Sequence, residues 1–243
     1  MSSPQAPVTD NMPYVVIPAE VPATGPQFQS LPDELLLEIF KHLLASNNVI
    51  DAQHYSCLKL VRLAKLRKVS KFFSSVTDEV FYKLNFFKFF PPGIGKDGVV
   101  HPDCRLPAVL PHPRVRQHLR RIQMAIVLTD HYWVDHPGGD KDKFGNPKQV
   151  QIPIATADQL IEHCPGARQL HTLTDDTEGF CNLRELELRV YVNEGCRHAE
   201  SVLDVAAAAG FSVKAGKLRV SVLNLEAQPI KGHPELVKHI SHQ

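Results

Sequence analysis

The segment LPDELLLEIFKHLL, residues 31–44, constrains what this chain can fold into more than any other stretch of it. Ser30 followed three residues later by Asp33 has the spacing of a capping box, and Pro32 suits a first helical turn because its missing N–H has no partner there in any case. A helix is expected from Ser30 to about Leu44. At 100° per residue, Leu35, Leu36, Leu37, Ile39, Phe40, Leu43 and Leu44 sweep an arc of about 200°, and Glu34, Glu38, Lys41 and His42 fill the rest. A surface helix needs a stripe of only roughly 100° to pack on its own core. The surplus face must meet either a second layer of the same fold or a partner, and on this segment alone the two stand level.

The helix has contrasting neighbours. Residues 1–29 carry six prolines and little periodic apolar content. They are expected to form a disordered tail, since they cannot bury enough surface to offset the entropy of ordering. After the helix, Asn47 to His54 reads as a polar loop. Leu58, Val61, Leu66, Val69, Phe72 or Phe73, Val76 and Val80 then recur at helical steps, as one broken or two consecutive helices. Within them Lys59, Arg62, Lys65, Arg67, Lys68 and Lys71 form a run of cations with no acid between. The whole chain has 27 basic and 26 acidic residues, net +1. The run therefore reads as a solvated helix face and not as a nucleic-acid footprint. The aromatic run YKLNFFKFF follows, and PPGIG stops it.

Residues 91–118 are rich in Pro, His and Arg and read as a connection, with Arg114, Arg116, Arg120 and Arg121 covering the edge or face of the strand that follows. Three strands are expected beyond it: Leu119 to Leu128, Leu183 to Val192 and Lys217 to Leu225. Helical patterns lie between, Thr156 to Cys164 stopped by Pro165 and Gly166, and Ala199 to Ala209 stopped by Gly210. Strand, helix, strand in this order implies parallel pairing through right-handed crossovers. A weak repeat is visible in Cys164 to Leu173 and Cys181 to Leu188, both with the apolar spacing of a leucine-rich repeat. Strand alternation puts Leu186, Leu188, Val190 and Val192 on one face with Leu218, Val220 and Val222. Glu187, Arg189, Tyr191, Arg219 and Ser221 fall on the other, as a candidate substrate surface unless helices or the Asp135 to Val150 loop cover it.

Five widely spaced cysteines without a CxxC pair argue against a disulfide scaffold or zinc site, and for a reducing compartment, cytoplasm or nucleus. The N-terminus lacks the apolar core of a secretory signal, and no stretch is long and apolar enough to span a membrane. Among the 13 histidines, the pairs His131 with His136, His163 with Cys164, and His198 with Cys196 lack metal-ligand spacing. GxSxG, P-loop and dinucleotide motifs are missing, and Gly93-Ile-Gly95-Lys96 lacks the remaining P-loop positions. No catalytic residue, metal or cofactor is assigned, which favours a binding protein.

Leu31, Pro32, Glu34, Leu35, Leu36, Ile39 and Leu43, then Leu66, Val69, Ser70, Lys71 and Phe72, follow a recognisable order: Leu-Pro, a leucine-rich helix, and a Val-Ser-Lys-aromatic close. This order resembles the F-box, with Asn47 to Lys59 longer than the family norm. The aromatic run, the strand from Leu119 and Trp133 resemble short fungal-type F-box proteins. The resemblance implies an α+β chain. A three-helix F-box domain over 30–90 would be joined by 91–118 to a small α/β leucine-rich-repeat-like layer of parallel strands over 119–230, with a tail over 231–243. It implies docking on a Skp-family adaptor, and through it a cullin-RING ubiquitin ligase, by Leu31, Pro32, Leu35, Leu36, Ile39, Leu43, Leu66, Val69 and Lys71. The C-terminal part would select a protein substrate. The alternatives are an F-box protein that serves no ligase and, from another class, an enzyme carrying an F-box-like helix.

Overall fold

A computed structural model of the chain describes residues 31–95, 97–101, 106–174, 179–195, 201–230 and 240–242. The expected tail 1–29, Ser30 and the Cys196–His198 pair lie outside these residues.

Helix α1 (Asp33–Leu44) starts directly after Pro32, whose carbonyl accepts from the Leu35 and Leu36 amides at 3.0 and 3.2 Å. Pro32 therefore precedes the helix, not within its first turn as expected, and no side chain caps it. Asp33 and Glu34 at its start and Lys41 and His42 at its end complement the helix dipole. Leu36, Phe40 and Leu44, four apart, are its buried stripe.

The polar loop that follows is shorter than expected. Ile50 is buried and Asp51 caps α2 (Ala52–Leu58) by accepting from the His54 amide at 2.8 Å. A π-helical turn (Lys59–Leu63) leads into α3 (Ala64–Arg67). Ser70 then caps α4 (Lys71–Leu84), its hydroxyl accepting from Phe73 at 3.1 Å. Arg67 bonds Asp78 at 2.7 Å and fixes α3 against α4.

Four parallel strands form the main sheet in the order β1 (Phe86–Phe89), β2 (Arg121–Thr129), β5 (Leu183–Asn193), β7 (Ala215–Leu223). The three expected strands are present within two residues at either end. β1 is the unexpected one: the aromatic run that looks like the end of a helix turns at Asn85 and pairs as an edge strand. Ile50 adds a single parallel bridge outside it, to Phe87. Register places Ile122, Leu186 and Leu218 in one row, Met124, Leu188 and Val220 in the next, then Ile126, Val190 and Val222. A single turn, α5 (Pro113–Arg116), precedes β2; the rows face α6 (Ala157–His163), α7 (Pro165–Thr174) and α8 (Val202–Ala208), and lie in or against the same continuous buried cluster as Phe40, Leu44, Val80 and Phe81. The helical N-terminal part and the sheet thus share a core.

Three further differences from expectation concern the connections. The expected helix before Pro165 is present, α6 ending at His163 with Cys164 extended, but Pro165 and Gly166 at once open α7, so Pro165 to Thr174 is helix where the apolar spacing suggests a leucine-rich repeat. Its buried Ala167, Leu170 and Leu173 follow helical spacing. An antiparallel hairpin, β3 (His131–Asp135) with β4 (Gln149–Pro153), lies where no strand is expected. Near the C-terminus, β6 (Ser212–Val213) pairs with β8 (Ser241–His242), so the expected tail returns to the fold.

Asn85 joins the two halves. It is buried; its amide nitrogen donates to the carbonyls of Leu44 and Phe81 at 2.9 and 2.8 Å, and its oxygen accepts from the Ser46 amide at 2.7 Å. Asn85→Ala would leave buried backbone groups unpaired, at about 1–3 kcal/mol for such groups. The expected loss is about 3 kcal/mol, read as a drop in thermal midpoint of roughly 6–12 °C for a domain this size.

Candidate functional site

Two surfaces combine exposure with chemistry. The first is the outer side of α1. Leu35, Ile39 and Leu43, also four apart, are 53, 39 and 51% exposed, whereas Leu36, one position on from Leu35, is 5% exposed. The wide apolar arc is therefore a core stripe beside a solvent stripe, with Leu37, 39% exposed, on the core stripe's other side. Leu36 belongs to the core stripe and is removed from the candidate adaptor contacts. Leu31 is half-buried and Pro32 exposed at the head of the stripe. Phe40 meets Phe73 edge-on at 5.2 Å between ring centres, which holds the start of α4 beside α1. Val69, just before α4, and Lys71 and Phe72, its first two residues, are exposed, and Leu66 is half-buried against the main core.

The outer face of the sheet is divided. Toward the amino ends of the strands, Arg121, Glu185 and Lys217 form a charged row, with Glu185 3.4 Å from Arg121 and 3.9 Å from Lys217. Glu187 and Arg189 are half-buried and paired at 3.3 Å, and Arg219 and Ser221 are exposed. Tyr191 departs from expectation. It occupies the outer face but is fully buried in a small cluster with Val100, Ala125 and Val127, under Phe90, Ile94 and Leu225. The connection after β1 and the turn after β7 cover it, so it contacts no substrate. Its hydroxyl makes no hydrogen bond among the described residues.

The second surface is a cleft of about 530 Å³ at the carboxyl ends of β2 and β5. The hairpin, the start of α7 and the Leu106–Pro107 segment form its walls. At its base His131 Nδ1 lies 2.6 Å from Asp130 Oδ1, and Asp130 also accepts from the Gly195 amide at 3.1 Å. Tyr132 stacks on His163 at 3.8 Å, and the half-exposed Trp133 stands edge-on to His131. Cys164 is buried, its thiol donating to the Val127 carbonyl at 3.5 Å. His136 Nδ1 accepts from the Gly138 amide at 3.2 Å, and the described residues hold no group of three His, Cys, Asp or Glu suited to an ion. No sequence motif signals this cleft, because its residues come from a strand end, a hairpin and a helix start far apart in the chain.

Among titratable groups, the Tyr82 phenol is pushed upward by burial and by its 2.6 Å contact with the Tyr55 hydroxyl, which marks it as part of the core. No helix of the described residues is long and apolar enough to cross a membrane. No protein-family model matches the chain, and no curated protein or solved structure matches it.

Gly166 holds the cleft wall in place: a Cβ there would stand 2.2 Å from the Val127 carbonyl oxygen. Helix propensity alone favours Gly166→Ala by about 1 kcal/mol. The clash is with backbone, which cannot swing aside, so the substitution is expected to destabilise by about 1–3 kcal/mol in denaturant unfolding.

Proposed function

We propose that the chain is a substrate-recognition subunit of an SCF-type ubiquitin ligase. The outer stripe of α1 docks on a Skp-family adaptor, the adaptor links it to a cullin-RING ligase, and the sheet domain engages a protein substrate. The observation that carries this reading is the second leucine stripe: Leu35, Ile39 and Leu43 stay in solvent although the fold's own core is complete on the neighbouring stripe. Apolar residues at helical spacing on an otherwise charged helix are the pattern of a helix packed into a partner's groove. The F-box order of residues around them gives that partner its class. No catalytic role, metal or cofactor is assigned.

Adaptor capture on the full chain tests it. Leu35→Glu with Ile39→Glu is expected to lose adaptor binding by at least about 30-fold, the equivalent of one interface anchor of about 2 kcal/mol. Both side chains are already in solvent, so the thermal midpoint should stay at the wild-type value. Leu36→Ala should do the reverse, costing about 2–5 kcal/mol of stability as a core truncation. Adaptor binding by the double variant at wild-type strength would remove α1 from the interface. Adaptor binding without any substrate accumulating when the chain is deleted would point to a role outside the ligase.

A further inference from the structure

The cleft at the carboxyl ends of β2 and β5 carries more than its shape. Its volume of about 530 Å³ lies in the range that encloses most of a small ligand. His131 is the first feature. Its side chain is only 10% exposed and that of Asp130 2%. A carboxylate facing Nδ1 requires that nitrogen to donate, which leaves Nε2 of the neutral ring as an acceptor. Gly195 lies against the Cε1–Nδ1 edge, where a Cβ would come to 2.8 Å of Cε1. Nε2 makes no hydrogen bond among the described residues although the ring lines the cleft. The acceptor therefore opens on the cleft and is free to take an N–H or O–H from a ligand.

Arg168 is the second feature. It stands in the first turn of the ten-residue helix α7, whose Pro165 and Gly166 also line the cleft. Its guanidinium is exposed and makes no ion pair among the described residues. Cation and helix start together favour a carboxylate. Glu162, the acid at the rim, has a 73% exposed side chain and is largely screened by solvent, with His163 Nε2 3.7 Å from its carboxylate. The third feature is the flat wall of Trp133 beside the Tyr132–His163 stack.

We infer that this cleft binds a peptide segment through a carboxylate at Arg168, a backbone N–H at His131 Nε2, and an apolar or aromatic side chain against Trp133. A peptide brings an acid, a backbone N–H and an apolar side chain together in one ligand. The site would be where the proposed substrate is read, and that identification of the peptide's source rests on the receptor reading; the cleft itself does not. It also replaces the charged outer face of the sheet as the recognition surface.

Trp133 is the chain's only tryptophan, so its emission reports on the cleft in the full-length protein. Three probes are titrated: acetyl-Ala-Ala-Phe with a free C-terminal carboxylate, acetyl-Ala-Glu-Phe amide, and acetyl-Ala-Ala-Phe amide. A saturable change with either acid, weaker by tenfold or more with the neutral amide, is expected, and the better acid shows whether the carboxylate is terminal or side-chain. Arg168→Gln, on the surface and expected to unfold as wild type does, should lower acid-peptide affinity by tenfold or more. No response to any probe, equal response to the neutral amide, or full affinity in Arg168→Gln would overturn the inference. Binding of free phenylalanine with no binding of the peptides would overturn the assignment to a peptide. Adaptor capture from the same preparation separates the two readings: cleft failure with adaptor binding intact sinks only the cleft, and the reverse sinks only the receptor role.

Discussion

The side-chain amide of Asn85 is the joint on which the arrangement turns. One buried group terminates α4 through the Phe81 carbonyl, terminates α1 through the Leu44 carbonyl, and takes up the Ser46 amide. The Leu44 carbonyl is one that a helix end leaves without a partner, while the Phe81 carbonyl also accepts from the Asn85 amide at 3.4 Å. Because both helices end at the same side chain, the chain leaving α4 has one direction available, along β1. Ile50, six residues beyond Leu44, is brought alongside, its amide donating to Phe86 and its carbonyl accepting from Lys88 at 2.7 and 2.9 Å. The helical layer and the sheet are thereby locked in register, and Phe81, Tyr82 and Phe87 close the seam with edge-on and tilted ring contacts. No other amino acid of that size offers two donors and an acceptor in the same plane.

What the sequence discloses follows from how locally each element is determined. The period-two pattern of LRELELRVYV identifies β5 because every second residue enters the same core, and the order of strands and helices discloses parallel pairing. The breadth of the α1 arc is legible too, and so is the need for two contact layers. Which leucine belongs to which layer is not: Leu35 and Leu36 are alike in composition, and only the position of α4, set by Phe40 against Phe73, decides between them. β1 is hidden because FFKF carries no alternation and directly continues a helix. α7 is hidden because Pro-Gly usually ends a helix; here Pro165 starts one, and Gly166 is demanded by a carbonyl of β2 nearly forty residues away. Tyr191 falls on the outer face as alternation requires, yet is buried by the non-periodic segments around Val100 and Leu225. The cleft inherits all of these, since each of its walls is a feature that tertiary contact alone defines.

Parallel sheets normally bury both faces. This one does so only in part, covering its outer side over Tyr191 and Val127 and leaving Arg121, Glu185 and Lys217 toward the amino end, with Arg219 and Ser221 along the β7 edge. Pairs such as Arg121–Glu185 contribute little to stability at the surface. Their effect is to keep that face wetted and charged in alternating sign, which opposes association with a second sheet. A face whose ions already answer one another offers a partner little unmet demand. His131 Nε2 and Arg168 are in the opposite condition.

The Pro-rich connection contributes to that difference. Gln169 of α7 is buried, and its side-chain amide pairs with both backbone groups of Ala108, the Ala108 amide donating to Gln169 at 3.2 Å and the Ala108 carbonyl accepting from it. A side chain here imitates the partner of a strand residue, and it secures the Leu106–Pro107 wall without a strand. On the opposite wall Asp130 performs several tasks at once: its amide donates to Asn193 at 3.3 Å, its carbonyl accepts from Ile154 at 2.7 Å, and its carboxylate orients His131. Both walls are held by backbone-level bonds that exist before any ligand arrives. Ordering them on binding costs little, whereas an exposed arginine loses rotamer freedom when it closes on a carboxylate. Affinity at such a cleft therefore depends on what Arg168 finds, and the stiff walls restrict what can be presented to it.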